Sequence, residues 1–574
     1  MASRIVLLLG LTACVRLAAA AGGSAEEGLP KGRLQWRKLF NGRDLEGWSV
    51  EGKGHWSAEE GCIVGRQDKT AHSESWLFTE EQFSDFVLLV KFRITKGHNS
   101  GIFLRIPRVA GHPAHLGYEL QIWADDPDYP TGSFYAVAKG TPGLQKEGWN
   151  EVQAVCVGKS LFTAVNGQCA LGIHNRRRAR GRIGFQVHGG VKYQDMEVRF
   201  KDLWLAPIRE HPPLVDDVIE WKKVKLDSGI NEGAAVFDVD QDDYLDVLCG
   251  PRWYEGPYWK PHPVRDVKTN GYAESFWELP CDVDRDGYTD IIAGGAFAKK
   301  EYWYENPRSK TQTWPAHDYL TRRGFIEDMV ILDLDGDGFL NDLLPNGNGE
   351  RVNWIHVDAG PRPRFEAHEV GKRGRAHGIG YGDVDGDGRI DILTPQGWYK
   401  APPDRTRRWT WRGEFELKGR PGVPIRTAHI DGDRRADIVY GDGHGYGLWW
   451  LQQHVDDRQE RTWTHHTIDE SFSQAHYIAL GDINGDGRTD IVAGKRWRAH
   501  NGNDPGGYEP TGLFWFEHDG HGRNWTRHTI DFNGGAGCGM GLQVVDLDRD
   551  GALDVVAPGK GGLYLFLNQG PTEK

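Results

Sequence analysis

Between Asp238 and Asp554 the chain repeats seven times an acidic stretch of the form D-x-D-x-D-G-x-x-D, each running straight into a short apolar segment. The copies start at Asp238 (DVDQDDYLD), Asp282 (DVDRDGYTD), Asp333 (DLDGDGFLN), Asp383 (DVDGDGRID), His429 (HIDGDRRAD), Asp482 (DINGDGRTD) and Asp546 (DLDRDGALD). Carboxylates at positions 1, 3, 5 and 9 converge on one hard cation when glycine at position 6 turns the chain through positive φ. All-oxygen ligation of that kind is calcium chemistry. The expected Ca²⁺ ligands are Asp238, Asp240, Asp242 and Asp246; Asp282, Asp284, Asp286 and Asp290; Asp333, Asp335 and Asp337; Asp383, Asp385, Asp387 and Asp391; Asp482, Asn484, Asp486 and Asp490; and Asp546, Asp548, Asp550 and Asp554. His429 and Arg434 degrade the fifth copy. An EF-hand would need Glu at position 12 and a helix on each side, and the sequence offers neither. The unit is a calcium-clamped β-hairpin.

Repeats about 45–65 residues apart, each with several short strands, predict a closed propeller, because one blade alone cannot bury both faces of its sheet. Seven loops predict seven blades over 218–570. A second repeat, W-x-x-H-x-aliphatic, occurs at Trp259/His262/Val264, Trp463/His466/Ile468 and Trp525/His528/Ile530, with Phe365/His368/Val370 as a variant. It fits the outermost strand of a blade, which makes these histidines structural. Trp221, Val224 and Leu226 fit the same frame ahead of the first loop, while GLYLFL (Gly562–Leu567) follows the last loop without such a strand. The N-terminal strand is therefore expected to complete the last blade.

The formal net charge is −13, and six divalent ions would add about +12, leaving the loaded protein nearly neutral. Lys and Arg form no long run apart from RRRAR at 176–180, so no nucleic-acid partner is expected. Met1–Ala21 combines Arg4, an apolar run and an alanine-rich end, which is the pattern of a secretory signal. Leu11-Thr-Ala-Cys14 reads equally as a lipobox, with Cys14 lipidated as an anchor. Either way the protein is expected to be exported: periplasmic, extracellular or lipid-anchored. No later stretch has the apolar length of a membrane span. The other cysteines (62, 156, 169, 249, 281 and 538) lack the spacing of a disulfide scaffold or zinc site and are expected as buried thiols.

Residues 34–207 read as a separate unit, followed by a proline-broken linker at 208–217. Runs such as FVLLVKFRI, SGIFLRI, YELQIW, NEVQAVCV and RIGFQVH, parted by Gly, Asn and Pro turns, predict an antiparallel two-sheet jelly roll. The whole chain is then all-β. The unit also resembles a known family: LFNGRDLEGW (39–48), Trp76-Leu77, NSGIFLR (99–105), YELQI (118–122), TGSFY (131–135), Trp149-Asn150, Asn166-Gly167 and GRIGFQVHG (181–189) occur in the order seen in 3-keto-disaccharide hydrolases. That resemblance implies a concanavalin-like sandwich acting on 3-keto-glycosides. One departure stands out: where the family carries Phe-Arg-Asn after His188-Gly189, this chain has Tyr193-Gln194-Asp195.

A carbonyl at sugar C3 acidifies the C2 proton, so a base can remove it and the C1 glycosidic oxygen can leave by elimination, with water adding afterwards. Such a site needs a base and an enolate stabiliser. Period-2 geometry puts Glu119 and Gln121 on one face. The expected roles are Glu119 or His188 as base, Arg105 as electrostatic stabiliser, and Asn99, Gln121, Asp125 and Tyr135 as substrate contacts. The alternative is that Glu119 merely braces neighbouring loops.

Six residues before each acidic loop stand Glu232, Phe276, Glu327, His377, Val423, His476 and Met540. On inner strands these would ring the axial channel about 20 Å from the calcium loops. Glu232, Glu327, His377 and His476 there form a candidate site for a transition metal or for acid–base work. Turns leading to the same face carry Arg252, Lys299, Gln396, His444, Lys495 and Arg496. The acidic loops resemble integrin-type propellers, and RWYEGP, YWYENP and GWYKAP resemble the propeller of aldos-2-ulose dehydratases, which implies His377 and His476 as metal ligands. The expectation is an exported glycan-processing enzyme of the 3-keto-glycoside hydrolase or lyase type, its propeller binding carbohydrate or doing a second step. A non-catalytic carbohydrate-binding surface protein is the alternative.

Overall fold

The computed structural model describes residues 30–68, 70, 72–209, 218–267, 272, 275–295, 300–321, 326–346 and 351–572. The leader with Cys14, most of the linker (210–217) and Lys299 lie outside the described residues. The fold is all-β: a jelly-roll sandwich followed by a seven-bladed propeller. No helix is long and apolar enough to cross a membrane.

The larger sandwich sheet runs Gln168–His174, Ser160–Val165, Asn150–Val157, Phe86–Ile94, Glu197–Pro207, Cys62–Arg66 and His55–Glu59, with Arg37–Lys38 beside Glu197–Pro207. The smaller runs Trp48–Gly52, Ser75–Thr79, Arg182–Val187, Ser100–Ile106 and Tyr118–Ile122. Leu88, Val90 and Phe92 from the first sheet meet Ile102, Leu104, Leu120 and Phe185 from the second in one core.

The near-continuous apolar character of FVLLVKFRI and NEVQAVCV has a structural cause. The opposite face of the large sheet is also covered, by the propeller. Val87, Val155, Phe162 and Ala164 pack into a cluster with Trp497, Phe514, Phe516 and Phe532 of the sixth blade. Phe162 and Trp497 meet edge to face at 5.2 Å, and Gln153 Nε2 donates to the Tyr508 carbonyl at 2.9 Å. The outer face of the small sheet, with Glu119 and Gln121, lines a cleft of its own.

The propeller blades are four-stranded antiparallel sheets; the fourth and fifth join through the parallel pair Gly380–Gly382 and Ile425–Ala428. Ile219–Asp227 pairs with Leu563–Pro571, so the first strand of this domain completes the seventh blade and closes the ring, as the sequence predicts. The W-x-x-H histidines lie on outer strands and stack on a tryptophan of the adjoining strand: His262 on Trp253 (4.4 Å), His368 on Trp354 (4.5 Å), His466 on Trp450 (4.5 Å) and His528 on Trp515 (4.0 Å). His317 on Trp303 (4.3 Å) does the same without the full motif. These rings are packing elements. The six described cysteines are buried free thiols.

Every complete acidic loop folds the same way. The position-1 carboxylate accepts the backbone N–H of position 6, as in Gly388 to Asp383 (2.8 Å) and Gly551 to Asp546 (3.0 Å). That contact requires the left-handed backbone seen at Gly388 (φ 82°) and Gly551 (φ 90°) and, without glycine, at Asp243 (φ 70°). In the first, second, fourth and seventh loops the buried position-9 carboxylate clamps two segments, as Asp391 accepts Val384 N–H at 3.0 Å and Ala401 N–H at 2.8 Å, whereas Asp490 of the sixth accepts Ile483 N–H alone among the described residues. In the third loop this clamp is Asp342 instead of Asn341, because that loop is one residue longer and Leu334 N–H reaches Asp342 at 2.8 Å. The ninth-residue pattern alone misses it.

Candidate functional sites

The outer face of the small sheet forms the floor of a cleft of about 440 Å³ lined by Glu74, Asn99, His112, Glu119, Gln121, Trp123, Asp126, Tyr135, Gln186, His188, Lys192 and Tyr193. Four of the expected substrate and catalytic residues sit on or beside strands that the sheet order brings together: Asn99, Glu119, Gln121 and His188. Tyr135 arrives because its N–H bonds the Glu119 carbonyl at 2.9 Å, tying the TGSFY turn to that strand.

Glu119 is almost wholly buried, and no hydrogen-bond partner meets its carboxyl among the described residues. Burial, with the Glu74 carboxylate adding to it, pushes Glu119 up to about 8. Gly101 on the neighbouring strand makes room: a Cβ there would lie 2.5 Å from Glu119 Oε1. His188 Nδ1 donates to the Gly189 carbonyl at 2.7 Å, which turns Nε2 toward Glu74 Oε1 at 3.8 Å. Glu74 Oε2 meets His112 Nε2 at 3.0 Å. Asn99 Oδ1, Gln121 Oε1 and Gln186 Oε1 are buried without partners. A ligand bringing several hydroxyl donors would satisfy them.

Two expected contacts are corrected. Arg105 does not enter the cleft. Its backbone is left-handed (φ 56°), which reverses the strand alternation. Ile106 joins Phe103 instead, while the Arg105 guanidinium points inward to the carbonyls of Ser84 (2.7 Å), Gly158 (2.7 Å) and Arg178 (3.1 Å) and to Asp85 (2.9 Å). Asp125 is exposed on the turn beyond the strand. Asp126 lines the cleft in its place, 3.3 Å from Gln121 Nε2. The cation facing the cleft is Lys192, on the short 3₁₀ turn Val191–Tyr193, with Nζ 5.2 Å over Trp123 and 4.7 Å over Tyr193. Its signal was the Lys-Tyr pair standing just where the sequence departs from Phe-Arg-Asn.

In the propeller the inner-strand positions do gather at the axis. Arg496 is buried there, bridging Glu232 (Nε and Nη2, both 2.9 Å) and Glu327 (Nη1, 2.8 Å), while Lys560 Nζ meets Glu232 at 2.6 Å. Burial would raise the Glu232 carboxyl, but Arg496 and Lys560 outweigh it and hold Glu232 down at about 2. Glu232 is thus spent in ion pairs and stands apart from the histidines, a correction to its expected place beside them. Glu327, His377 and His476 do converge, joined by His444 from the turn before Tyr446–Val455.

The acidic loops suit a hard cation. Oxygens of Asp238, Asp240 and Asp246 lie within 4.8 Å of one another, and Asp240 Oδ1 and Asp385 Oδ1 are buried without a partner. Burial, reinforced by neighbouring carboxylates, pushes Asp246, Asp290, Asp391 and Asp490 up to about 7 and Asp554 up to about 6. Lys310 meets Asp240 Oδ2 and Lys400 meets Asp385 Oδ2, which puts positive charge on the other oxygen of each carboxylate.

Residues 35–206 match the sequence model of the 3-keto-alpha-glucoside-1,2-lyase-like domain, and 282–344 and 429–493 match that of the FG-GAP-like repeat. No curated protein matches the chain. Among solved structures, a putative glycosyl hydrolase from Parabacteroides distasonis ATCC 8503 is 22% identical over 30% of this chain and 94% of its own, with a TM-score of 0.26. The carbohydrate binding module CBM66 from Bacillus subtilis is 17% identical over 27% of this chain and 93% of its own (TM-score 0.22). The BBS1N chain crystallised in complex with ARL6DN is 12% identical over 63% of this chain and 99% of its own (TM-score 0.38). The chain thus joins a 3-keto-disaccharide hydrolase domain to a propeller containing FG-GAP-like repeats.

Proposed function

We propose that the cleft on the small sheet cleaves 3-keto-glycosides by elimination across C1–C2, with hydration of the product. The observation that carries this reading is Glu119: a buried carboxyl raised to about 8 on the floor of an open cleft, ringed by unpartnered amide oxygens. Glu119 takes the C2 proton, and that electron pair forms the C1–C2 double bond as the C1–O glycosidic bond breaks. The departing oxygen takes a proton from His188, whose Nε2 faces Glu74 Oε1 across 3.8 Å. Lys192 supplies positive charge for the enolate at O3, the role expected of Arg105. Return of water to C1 and of a proton to C2 gives the hydrolysed 3-keto sugar. Trp123 and Tyr193 offer apolar faces for the ring.

The propeller, in the same proposal, is a rigid platform stapled by Ca²⁺ held on the aspartates of its six complete loops, and the whole protein is exported by its N-terminal leader. When bound, calcium would neutralise carboxylates that otherwise repel. Turnover of a 3-keto-glucoside, followed as release of the aglycone, tests the reading. The full chain should turn over, and Glu119→Gln should lose about 10²-fold or more while still binding sugar. Binding without turnover by the unaltered chain would make the cleft a lectin site and overturn the enzymatic reading.

A further inference from the structure

Four side chains from successive blades meet at the axis on the mouth opposite the acidic loops. Glu327 and His377 precede the inner strands Met329–Leu332 and Gly380–Gly382, His476 precedes Ile478–Gly481, and His444 lies in the fifth blade's turn after Asp437–Gly441. His377 Nε2 lies 2.9 Å from Glu327 Oε2, 3.1 Å from His444 Nε2 and 3.3 Å from His476 Nε2; His476 Nε2 is 3.7 Å from Glu327 Oε1. All four are buried.

The partners of the far ring nitrogens decide what these atoms are. His377 Nδ1 lies 2.8 Å from the Pro421 carbonyl, which only accepts, so Nδ1 carries the hydrogen. His444 Nδ1 lies 2.9 Å from the Asp504 carboxylate and carries its hydrogen likewise. In the neutral rings both Nε2 atoms are therefore lone pairs, aimed at each other and at Glu327. One proton on His377 satisfies the contact to Glu327 and leaves the other imidazoles facing it. His476 Nδ1 has no partner and no accessible surface, so its own proton also lacks a natural place.

We propose that Glu327, His377, His444 and His476 bind one divalent transition-metal ion. Tetrahedral donors about 2.0–2.1 Å from a zinc-like ion are separated by about 3.3–3.4 Å, the scale of the nitrogen contacts found. Three imidazoles and one carboxylate suit Zn²⁺, Mn²⁺, Fe²⁺ or Co²⁺ and not the oxygen-seeking Ca²⁺ of the acidic loops. The surroundings have the organisation of a metal's outer shell. Asp504 and the Pro421 carbonyl fix two tautomers, and Arg496, gripped by Glu232, holds the second oxygen of Glu327 at 2.8 Å. Asp504 also takes the exposed His500, whose ring stacks on His444 at 4.9 Å, so the pocket reaches the rim through that pair.

The test uses the full chain, stripped with a chelator, dialysed into excess Ca²⁺ and titrated with Co²⁺. One Co²⁺ per chain is expected, with a visible d–d spectrum lacking thiolate charge transfer, since the described cysteines are all buried elsewhere. His377→Ala and His444→Ala should each weaken binding by at least about 10²-fold with the calcium content unchanged. Should either variant fail to fold, X-ray absorption of the unaltered Co²⁺ protein decides, with imidazole-rich scattering at about 2.1 Å expected. No stoichiometric Co²⁺ binding, unaltered binding in folded variants, or a scattering shell of oxygens alone overturns the assignment.

Discussion

Gly101, which pairs with Gln121, lies diagonally across from Glu119 on the adjacent antiparallel strand, with so little space between them that a methyl group on Gly101 would lie 2.5 Å from Glu119 Oε1. The NSG turn at the start of that strand therefore does more than enter it. The missing side chain is the socket of the acid–base group. Gly101→Ala should displace the carboxyl from the cleft floor and lower turnover of a 3-keto-glucoside by about 10²-fold, at a stability cost of about 1–3 kcal/mol from overpacking. Comparing steady-state rates with the thermal midpoint separates the two effects; full activity in a folded Gly101→Ala protein would remove Glu119 from the mechanism.

The raised carboxyl of Glu119 gives the pH dependence a sign. Its folded value, about 8, lies above its ordinary value, so the folded state holds the proton more tightly than the unfolded chain. This contribution to stability is fully present at acidic pH and is lost as pH rises through about 8. As a base the same group must be unprotonated, so kcat/KM should climb toward pH 8 while this part of the stability falls. Glu119→Gln should abolish the climb and be less destabilised than the unaltered protein between pH 7 and 9. Calorimetry and initial rates across that range check both; a flat rate profile with normal turnover counts against the base assignment.

Arg105 makes the opposite kind of prediction. With its guanidinium sealed against three carbonyls and Asp85, removing it strands several buried acceptors and a half-shielded charge. Arg105→Ala should cost about 3 kcal/mol or more in denaturant unfolding. A second-site change that restores the fold should restore turnover too, whereas Lys192→Ala should slow turnover with little change in unfolding midpoint.

These contrasts mark where sequence reasoning reached and where it stopped. The blades were legible because each repeats the same turn chemistry, and the ring closure followed from the one strand left over at each end. Within the sandwich, alternation placed Glu119 and Gln121 together, since an undisturbed strand keeps its faces. It misplaced Arg105 because one left-handed residue reverses those faces, and no pattern of residue types announces that. Asp125 failed for a related reason: beyond the strand end, the turn and not the period decides which carboxyl points inward. His444 was visible only as a turn residue; its approach to His377 depends on how neighbouring blades tilt toward the axis. The insertion between Asp490–Gly494 and Gly512–His518 places Arg496 at the axis and the adjacent Trp497 against the sandwich. No local pattern foretells such a bridge.

The acidic loops supply the last prediction. Asp391, buried at position 9, ties its loop to the far end of the third strand by joining Val384 to Ala401, and does so among carboxylates that repel it. A bound cation would relieve that repulsion in the folded state alone, so binding adds directly to stability. Chelation with EGTA should lower the unfolding midpoint of the propeller by about 5–10 °C, and excess Ca²⁺ should restore it where equal Mg²⁺ does not, because Mg²⁺ accommodates a flexible multi-carboxylate loop poorly. Asp383→Asn and Asp482→Asn should each remove about one Ca²⁺ per chain by elemental analysis and shift the midpoint by a fraction of the full effect. The unaltered Asp431 and Asp433 of the degraded loop offer an internal comparison: Asp431→Asn should leave calcium content unchanged. A midpoint indifferent to EGTA would mean that the clamps hold through backbone hydrogen bonds and the lysines on Asp240 and Asp385, with the carboxylates needing no ion.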